Sequence, residues 1–424
     1  MNSRIITIEK QIHNDIYILM KWFFSRSLPT PKDQTQIHRK VSRLDLFFDL
    51  TYVLLFRDLF YLLGEDVSIS LFGNILLYFV PAWLIRHGYN FYVQRFEENT
   101  IRHRIMTFVL MFCILLYSYA IHTTGLEASL LLIYSAIWAH LFLWYLFLSA
   151  TQNESNKHIS KLAKLNWRCH IFYSIVWGCG ILLCDLFNID FSVIIWITDS
   201  SFILMLLSIP YVFKNVPKVH SEHLWERFWL FIIIVLAEMI YGLIEWLSDS
   251  LYIDTTVIFI WIWGFLLTIA IRWLYFDIIW HNPITKKGLR YVTHWSLLHL
   301  PLSLCIIYLG GMFLHMVNQV SSNIIQRELM FLTWLLVLLI FLIIWLLSFF
   351  HEFEWQEPTK KYNLPKNFPG YIMIAQVCIM PLIFWALQIS SPVILISILL
   401  FFFGLNIILF HYFFDPLDLE ENFE

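Results

Sequence analysis

Twelve apolar runs, each parted from the next by a short polar break, constrain this chain more than any other feature. They lie near residues 44–63, 71–94, 105–121, 127–149, 167–187, 192–213, 226–247, 254–279, 291–316, 328–350, 370–388 and 391–413. Each is long enough for a hydrocarbon core of about 30 Å. Lipid offers no water to an unpaired backbone amide, so such runs fold as helices. The expectation is an all-α polytopic membrane protein of about twelve transmembrane helices. A mean hydropathy of +0.68, with 59% hydrophobic and 14% charged residues, excludes an ordinary soluble domain.

Basic residues alternate between the breaks. Arg39, Lys40 and Arg43, then Arg95, Arg102 and Arg104, then Lys157, Lys161, Lys164 and Arg168 fall on one side. The same side takes Lys214, Lys218 and Arg227, then Lys286, Lys287 and Arg290, then Lys360, Lys361 and Lys366, whereas the other holds only Arg327. Positive charge stays inside, so the expected location is the cytoplasmic (inner) membrane with both termini cytoplasmic. Four segments follow. Residues 1–43 form a cytoplasmic amphipathic segment and linker, 44–213 and 214–413 two six-helix halves, and 414–424 an acidic cytoplasmic tail. In the first, Ile5, Ile8, Ile12, Ile16, Leu19, Met20 and Phe23 repeat at helical spacing, while Lys10, Asp15 and Lys21 prevent a span. No cleavable signal peptide is expected there, for want of a discrete apolar core before a small-residue site.

The two halves hint at a 6+6 parallel repeat. Asp45 and Glu226 open corresponding spans, Trp83, Asn90 and Arg95 parallel Trp273, Tyr275 and Asp277, and Arg104 parallels Arg290. Chance likeness between helices of similar composition is the equal alternative.

Charges inside the runs are the candidates for function, because a charge near mid-helix in lipid costs roughly 2.5–3.5 kcal/mol. In the first run Asp45 and Asp49 stand about 40° apart on one helical face, one turn from each other, and Arg57 is two turns further and about 80° round. Asp58 follows it. The seventh run carries Glu226 and Arg227 at its start and Glu238 near its middle, with Glu245 a heptad later. The eighth carries Arg272 and Asp277. One reading pairs Arg57 or Arg272 with these carboxylates as counter-charges, with Asp45 and Glu226 as structural salt-bridge partners. The functional reading makes Asp49 or Glu238 a proton or cation site.

Sixteen histidines invite a metal, but none is expected. His220 and His223 have no third ligand at metal spacing, and His294 and His299 lie about 140° apart. His299 precedes Pro301 and suits a polar kink. His87, His122, His140, His170 and His315 could join a proton relay, though each alone reads more readily as a hydrogen-bonded packing residue. The six cysteines all fall in apolar runs without a CxxC pair and read as core residues. There is no GxxxxGK[ST] loop or GxSxG elbow, and the 351–369 insert is too short for a soluble catalytic domain. No cofactor is expected. A net charge of −3 gives no field for nucleic acid, so the expected partners are the lipid bilayer and an unknown small molecule or lipid.

These residues resemble the bacterial low-temperature-requirement A (LtrA) family of polytopic membrane proteins. Leu44-Asp45-Leu46-Phe47-Phe48-Asp49-Leu50-Thr51-Tyr52-Val53 is similar to that family's LELFFDLVFV-like opening. Arg95-Phe96 and Arg104, Glu226-Arg227-Phe228 through Leu236-Ala237-Glu238, the Arg272–Asp277 stretch and His299-Leu300-Pro301-Leu302 follow in the family's order. Departures are Asp45 for Glu, Ala237 for Gly, implying a looser helix contact, and Arg272 for an aromatic, implying an extra charge near the inner site. The resemblance implies a role in low-temperature growth and brings no substrate or reaction with it.

Three functions fit. The first is a transporter-like protein using Asp49 and Glu238 as ion-coupling or substrate-orienting carboxylates, with Arg57 and Arg272 opposite them. The second is a lipid-acting membrane enzyme with Asp45, Asp49 and Glu226 as acid/base groups. The third is a non-catalytic sensor or scaffold.

Overall fold

The computed structural model describes residues 30–31, 42–65, 68–97, 100–122, 126–151, 157–187, 191–212, 221–249, 255–280, 289–320, 327–351, 375, 379 and 392–413. Eleven helices account for nearly all of them: α1 (Arg43–Glu65), α2 (Ile69–Arg95), α3 (Ile101–His122), α4 (Leu126–Ala150), α5 (Lys157–Phe187), α6 (Phe191–Val212), α7 (Ser221–Asp249), α8 (Thr255–Tyr275), α9 (Leu289–Val320), α10 (Arg327–Ser348) and α11 (Pro392–Phe413). A five-residue π-helical turn, Phe276–Trp280, continues α8. Thr30–Pro31 and Phe96–Glu97 form a two-residue antiparallel pairing.

Hydroxyl residues start three of the helices, as helix N-termini require. Ser42 Oγ accepts the Asp45 N–H at 3.1 Å, Ser68 Oγ that of Leu71 at 3.2 Å, and Thr100 Oγ1 that of His103 at 3.1 Å.

The surface carries the residues a soluble protein hides. Phe112, Tyr119, Trp138, Phe172, Leu182, Leu204, Phe401 and Ile408 are all exposed, while Asp49, Arg86, His140, His170 and His299 are buried. That inversion suits lipid outside and a polar interior. Among the described residues, six helices are long and apolar enough to cross a membrane: α3, α4, α7, α8, α9 and α10. Shorter apolar stretches occupy α6 (Ile195–Ser208) and α11 (Ile394–Leu409). In α1 the apolar run is broken by Asp45, Asp49, Arg57 and Asp58. The expected amphipathic segment, the run at 370–388 apart from residues 375 and 379, and the acidic tail lie outside the described residues.

Helices α1, α2, α7 and α9 form the centre. α1 packs on α3, α7 and α9, and α9 also on α6, α7 and α10. Every residue of α2 from Phe79 to Asn90 is buried. Glycine sets the α1–α9 spacing: a Cβ on Gly311 would meet Leu63 Cβ at 2.2 Å, and one on Gly64 would meet Leu314 Cδ2 at 2.2 Å. Small residues let membrane helices approach this closely. The looser contact expected from Ala237 is not found, because Ala237 is exposed and faces no such crossing.

Candidate functional site

The face shared by Asp45 and Asp49 on α1 turns inward, towards α2, α3 and α7. Asp49 is fully buried, and Asp45 is 5% exposed. Arg86, in the middle of α2, donates from Nε to Asp49 Oδ1 at 3.0 Å and from an Nη to the Arg227 carbonyl at 2.8 Å. Arg227 of α7 sends its own guanidinium the other way, to within 3.5 Å of Asp45 Oδ1. The Tyr89 hydroxyl of α2 donates to that same carboxylate oxygen at 3.1 Å and lies 3.3 Å from the Thr107 hydroxyl of α3. Two carboxylates and two guanidiniums thus cancel within one buried cluster drawn from three helices.

Aromatic rings wall the cluster. The Arg86 guanidinium lies 3.7 Å from the Phe231 ring centroid, and that of Arg227 lies 5.6 Å from Tyr89's. Such contacts partly replace the water lost on burial. Tyr52 donates to the Ala82 carbonyl at 2.9 Å and packs edge-on to Phe231, fixing α1 against α2 and α7. Hydrogen-bonding capacity is left over. Asp49 Oδ2, Arg227 Nε and Nη1 and both amide atoms of Asn90, one turn after Arg86, find no hydrogen-bond partner among the described residues.

The other candidates lie away from the Asp49–Arg86 pair. Arg57 is not the counter-charge of Asp49. It stands on the exposed stripe Phe47, Leu50, Leu54, Arg57 and Tyr61, its guanidinium 5.8 Å over the Tyr241 ring. Eight residues separate it from Asp49, about 12 Å along the axis, beyond that carboxylate's reach. Arg272 is likewise exposed, 4.9 Å over Phe276, so it adds no charge to the cluster. Glu226 is half-buried at the start of α7. Glu238 is buried, eleven residues beyond Arg227 and so about 16 Å further along α7. Asp49 and Glu238 therefore do not share one site. Asp277 is buried in the π turn.

His299 joins α8 to α9. Its Nδ1 bonds the Trp295 carbonyl at 2.9 Å, which makes Nδ1 the donor and leaves Nε2 to accept from the Tyr275 hydroxyl at 2.9 Å. Both ring nitrogens are satisfied, and α9 runs unbroken through Pro301. His220 lies outside the described residues, as does the side chain of His223. Among the described residues no three His, Cys, Asp or Glu side chains gather as a metal site.

Arg86 and Tyr89 escaped the sequence reading, yet Arg86 carried a signal. It is an arginine deep in an apolar run, the criterion that singled out Asp49.

An ion-pair cluster enclosed by helices whose outer faces are apolar defines a multi-pass helical membrane protein with a charged interior. The chain matches the family described as bacterial low temperature requirement A protein (LtrA) over residues 40–406, most of its length. It belongs to that family. No curated protein matches it.

Proposed function

We propose that this is a transporter-like protein of the cytoplasmic membrane, tied to growth at low temperature, whose Asp45–Arg227 and Asp49–Arg86 pairs form an ion or substrate site. The observation that carries this reading is the leftover bonding capacity of a buried, charge-balanced cluster. A purely structural core is as well served by apolar residues, since burying an ion pair rarely repays its desolvation. Here the cost is met four times over and Arg227 still has two donor atoms to offer a ligand, with Asp49 Oδ2 as an acceptor nearby. Cluster and ligand would exchange partners as helices α1, α2 and α7 shift. Relative to the starting expectation, Arg86 and Arg227 stand opposite Asp49 and Asp45, and Glu238 lies outside the cluster.

The twelve-span, 6+6 arrangement belongs to this reading. Packing supports it: α1 on α3 corresponds to α7 on α9, α3 on α4 to α9 on α10, and α6 on α2 to α11, the twelfth apolar run, on α8. The broad α1–α9 contact has no equally extensive α3–α7 counterpart. The basic residues that gather where α2 ends and α3, α5 and α9 begin support cytoplasmic termini.

Native mass spectrometry on gently purified protein tests the site. Wild type should carry a discrete small molecule or lipid that is lost in a double variant, Asp49→Asn with Arg86→Gln, that still shows a cooperative melting transition. Retention of the same species in that variant removes the site from the cluster.

A further inference from the structure

A second buried polar group lies between α4, α5 and α6. His140 and His170 are 0% and 1% exposed, on different helices, and their Nδ1 atoms face each other at 2.9 Å. Each imidazole alone would be a packing residue. Joined nitrogen to nitrogen, they make a two-ring chain with one free nitrogen at each end. At one end His140 Nε2 is buried and has no hydrogen-bond partner among the described residues. Tyr173 packs its ring 4.1 Å from that of His140, and its hydroxyl donates to the buried carboxylate of Asp199 on α6.

The other end meets a cavity. His170 helps line a space of about 10 Å³, together with His87 and Gly88 of α2, Asn166 of α5, Phe202 of α6 and Thr293 of α9. That is room for roughly one water among several polar groups. Gly88 makes the approach possible, since a Cβ there would stand 2.8 Å from His170 Cε1 and 3.0 Å from its Nε2. His170 Nε2 thus lies against the glycine wall of the cavity. The cavity sits towards the end of the bundle where α2 and α6 finish and α5 and α9 start.

We propose that His140 and His170 form a proton-accepting pair, distinct from the Asp–Arg cluster, that exchanges its proton through the cavity beside Gly88. One facing Nδ1 must carry a hydrogen and the other a lone pair. With His170 as donor to His140, His140 holds its hydrogen on Nε2 and His170 Nε2 presents a lone pair to the cavity. A proton from hydronium in the cavity binds His170 Nε2 as the Nδ1 hydrogen crosses to His140 Nδ1, leaving water behind and one positive charge shared by the pair. The reverse transfer returns the proton to water, and ring rotation exchanges the hydrogens on His170. The titratable neighbours are Tyr173 and Asp199 at one end and His87 at the other. The pair stands whether or not the Asp–Arg cluster binds a substrate.

The test is solid-state ¹⁵N NMR on histidine-labelled protein in vesicles of phosphatidylethanolamine and phosphatidylglycerol. Wild type should show a coupling across the Nδ1–H···Nδ1 bond, and that hydrogen should exchange with D₂O long before the backbone amides of α5. In Gly88→Ala the exchange should slow by about 10²-fold, the scale of a positioned proton-transfer group. A shared hydrogen in wild type as protected as those amides, or no coupling, overturns the proposal. Wild type alone decides the matter if the alanine variant fails to fold. A folded Gly88→Ala that exchanges at the wild-type rate overturns the route through the cavity.

Discussion

At the scale of single residues, the molecule turns on which arginine meets which aspartate. Asp49 and Arg86 are both out of reach of water, so removing either charge strands the other. Asp49→Asn alone should lower stability by about 3–5 kcal/mol, the usual result of breaking a buried pair. Asp49→Asn with Arg86→Gln should recover much of that loss, as measured by thermal melting of the detergent-solubilised protein. Two additive losses would mean that the pair is not coupled. Arg57→Gln, on the exposed stripe of α1, should change the melting temperature far less than Arg86→Gln. Asp45 and Asp49 were legible because carboxylates one turn apart interrupt an apolar run. Arg86 obeys the same rule, as an arginine deep in an apolar run. The His140–His170 pair could not be read, because its members come from two helices and nothing in either helix names the other.

At the scale of helices, periodicity exposes faces but not neighbours. The inward face of α1 followed from spacing, yet its partners depend on the order of helices around the bundle, which a pattern of apolar residues leaves free. Pairing by charge alone therefore points to Arg57 and Arg272, both of which the structure turns outward. The α1–α9 crossing was equally hidden, although Gly310 and Gly311 stand together in the sequence. They matter because Phe60 and Leu63 fill the space a side chain would need, down to 2.2 Å. Gly311→Val should destabilise by about 1–3 kcal/mol through overpacking. Gly73→Ala, where a Cβ meets nothing within 4 Å, should be tolerated. Equal melting temperatures for the two variants would contradict the close crossing.

At the scale of the whole molecule, the class was plain from composition, since apolar runs of this length in lipid have no alternative to helices. Family membership across residues 40–406 agrees with it. Topology is testable with single cysteines in a cysteine-free background and a membrane-impermeant maleimide applied to intact cells. Positions 67 and 124, in the α1–α2 and α3–α4 breaks, should label from outside. Positions 99 and 154, in the α2–α3 and α4–α5 breaks, should label only after permeabilisation. The reverse pattern would invert the protein in the membrane and place the Asp–Arg cluster towards the opposite leaflet.

The central claim, that the Asp–Arg cluster is a working site and not only a strut, meets its most direct test in low-temperature growth. A host lacking this protein would be complemented with wild type or with the Asp49→Asn, Arg86→Gln double variant, matched for membrane abundance and folded at the growth temperature. The account predicts that wild type restores growth in the cold and the folded double variant does not. Growth restored equally by both would contradict it and leave the cluster a structural device.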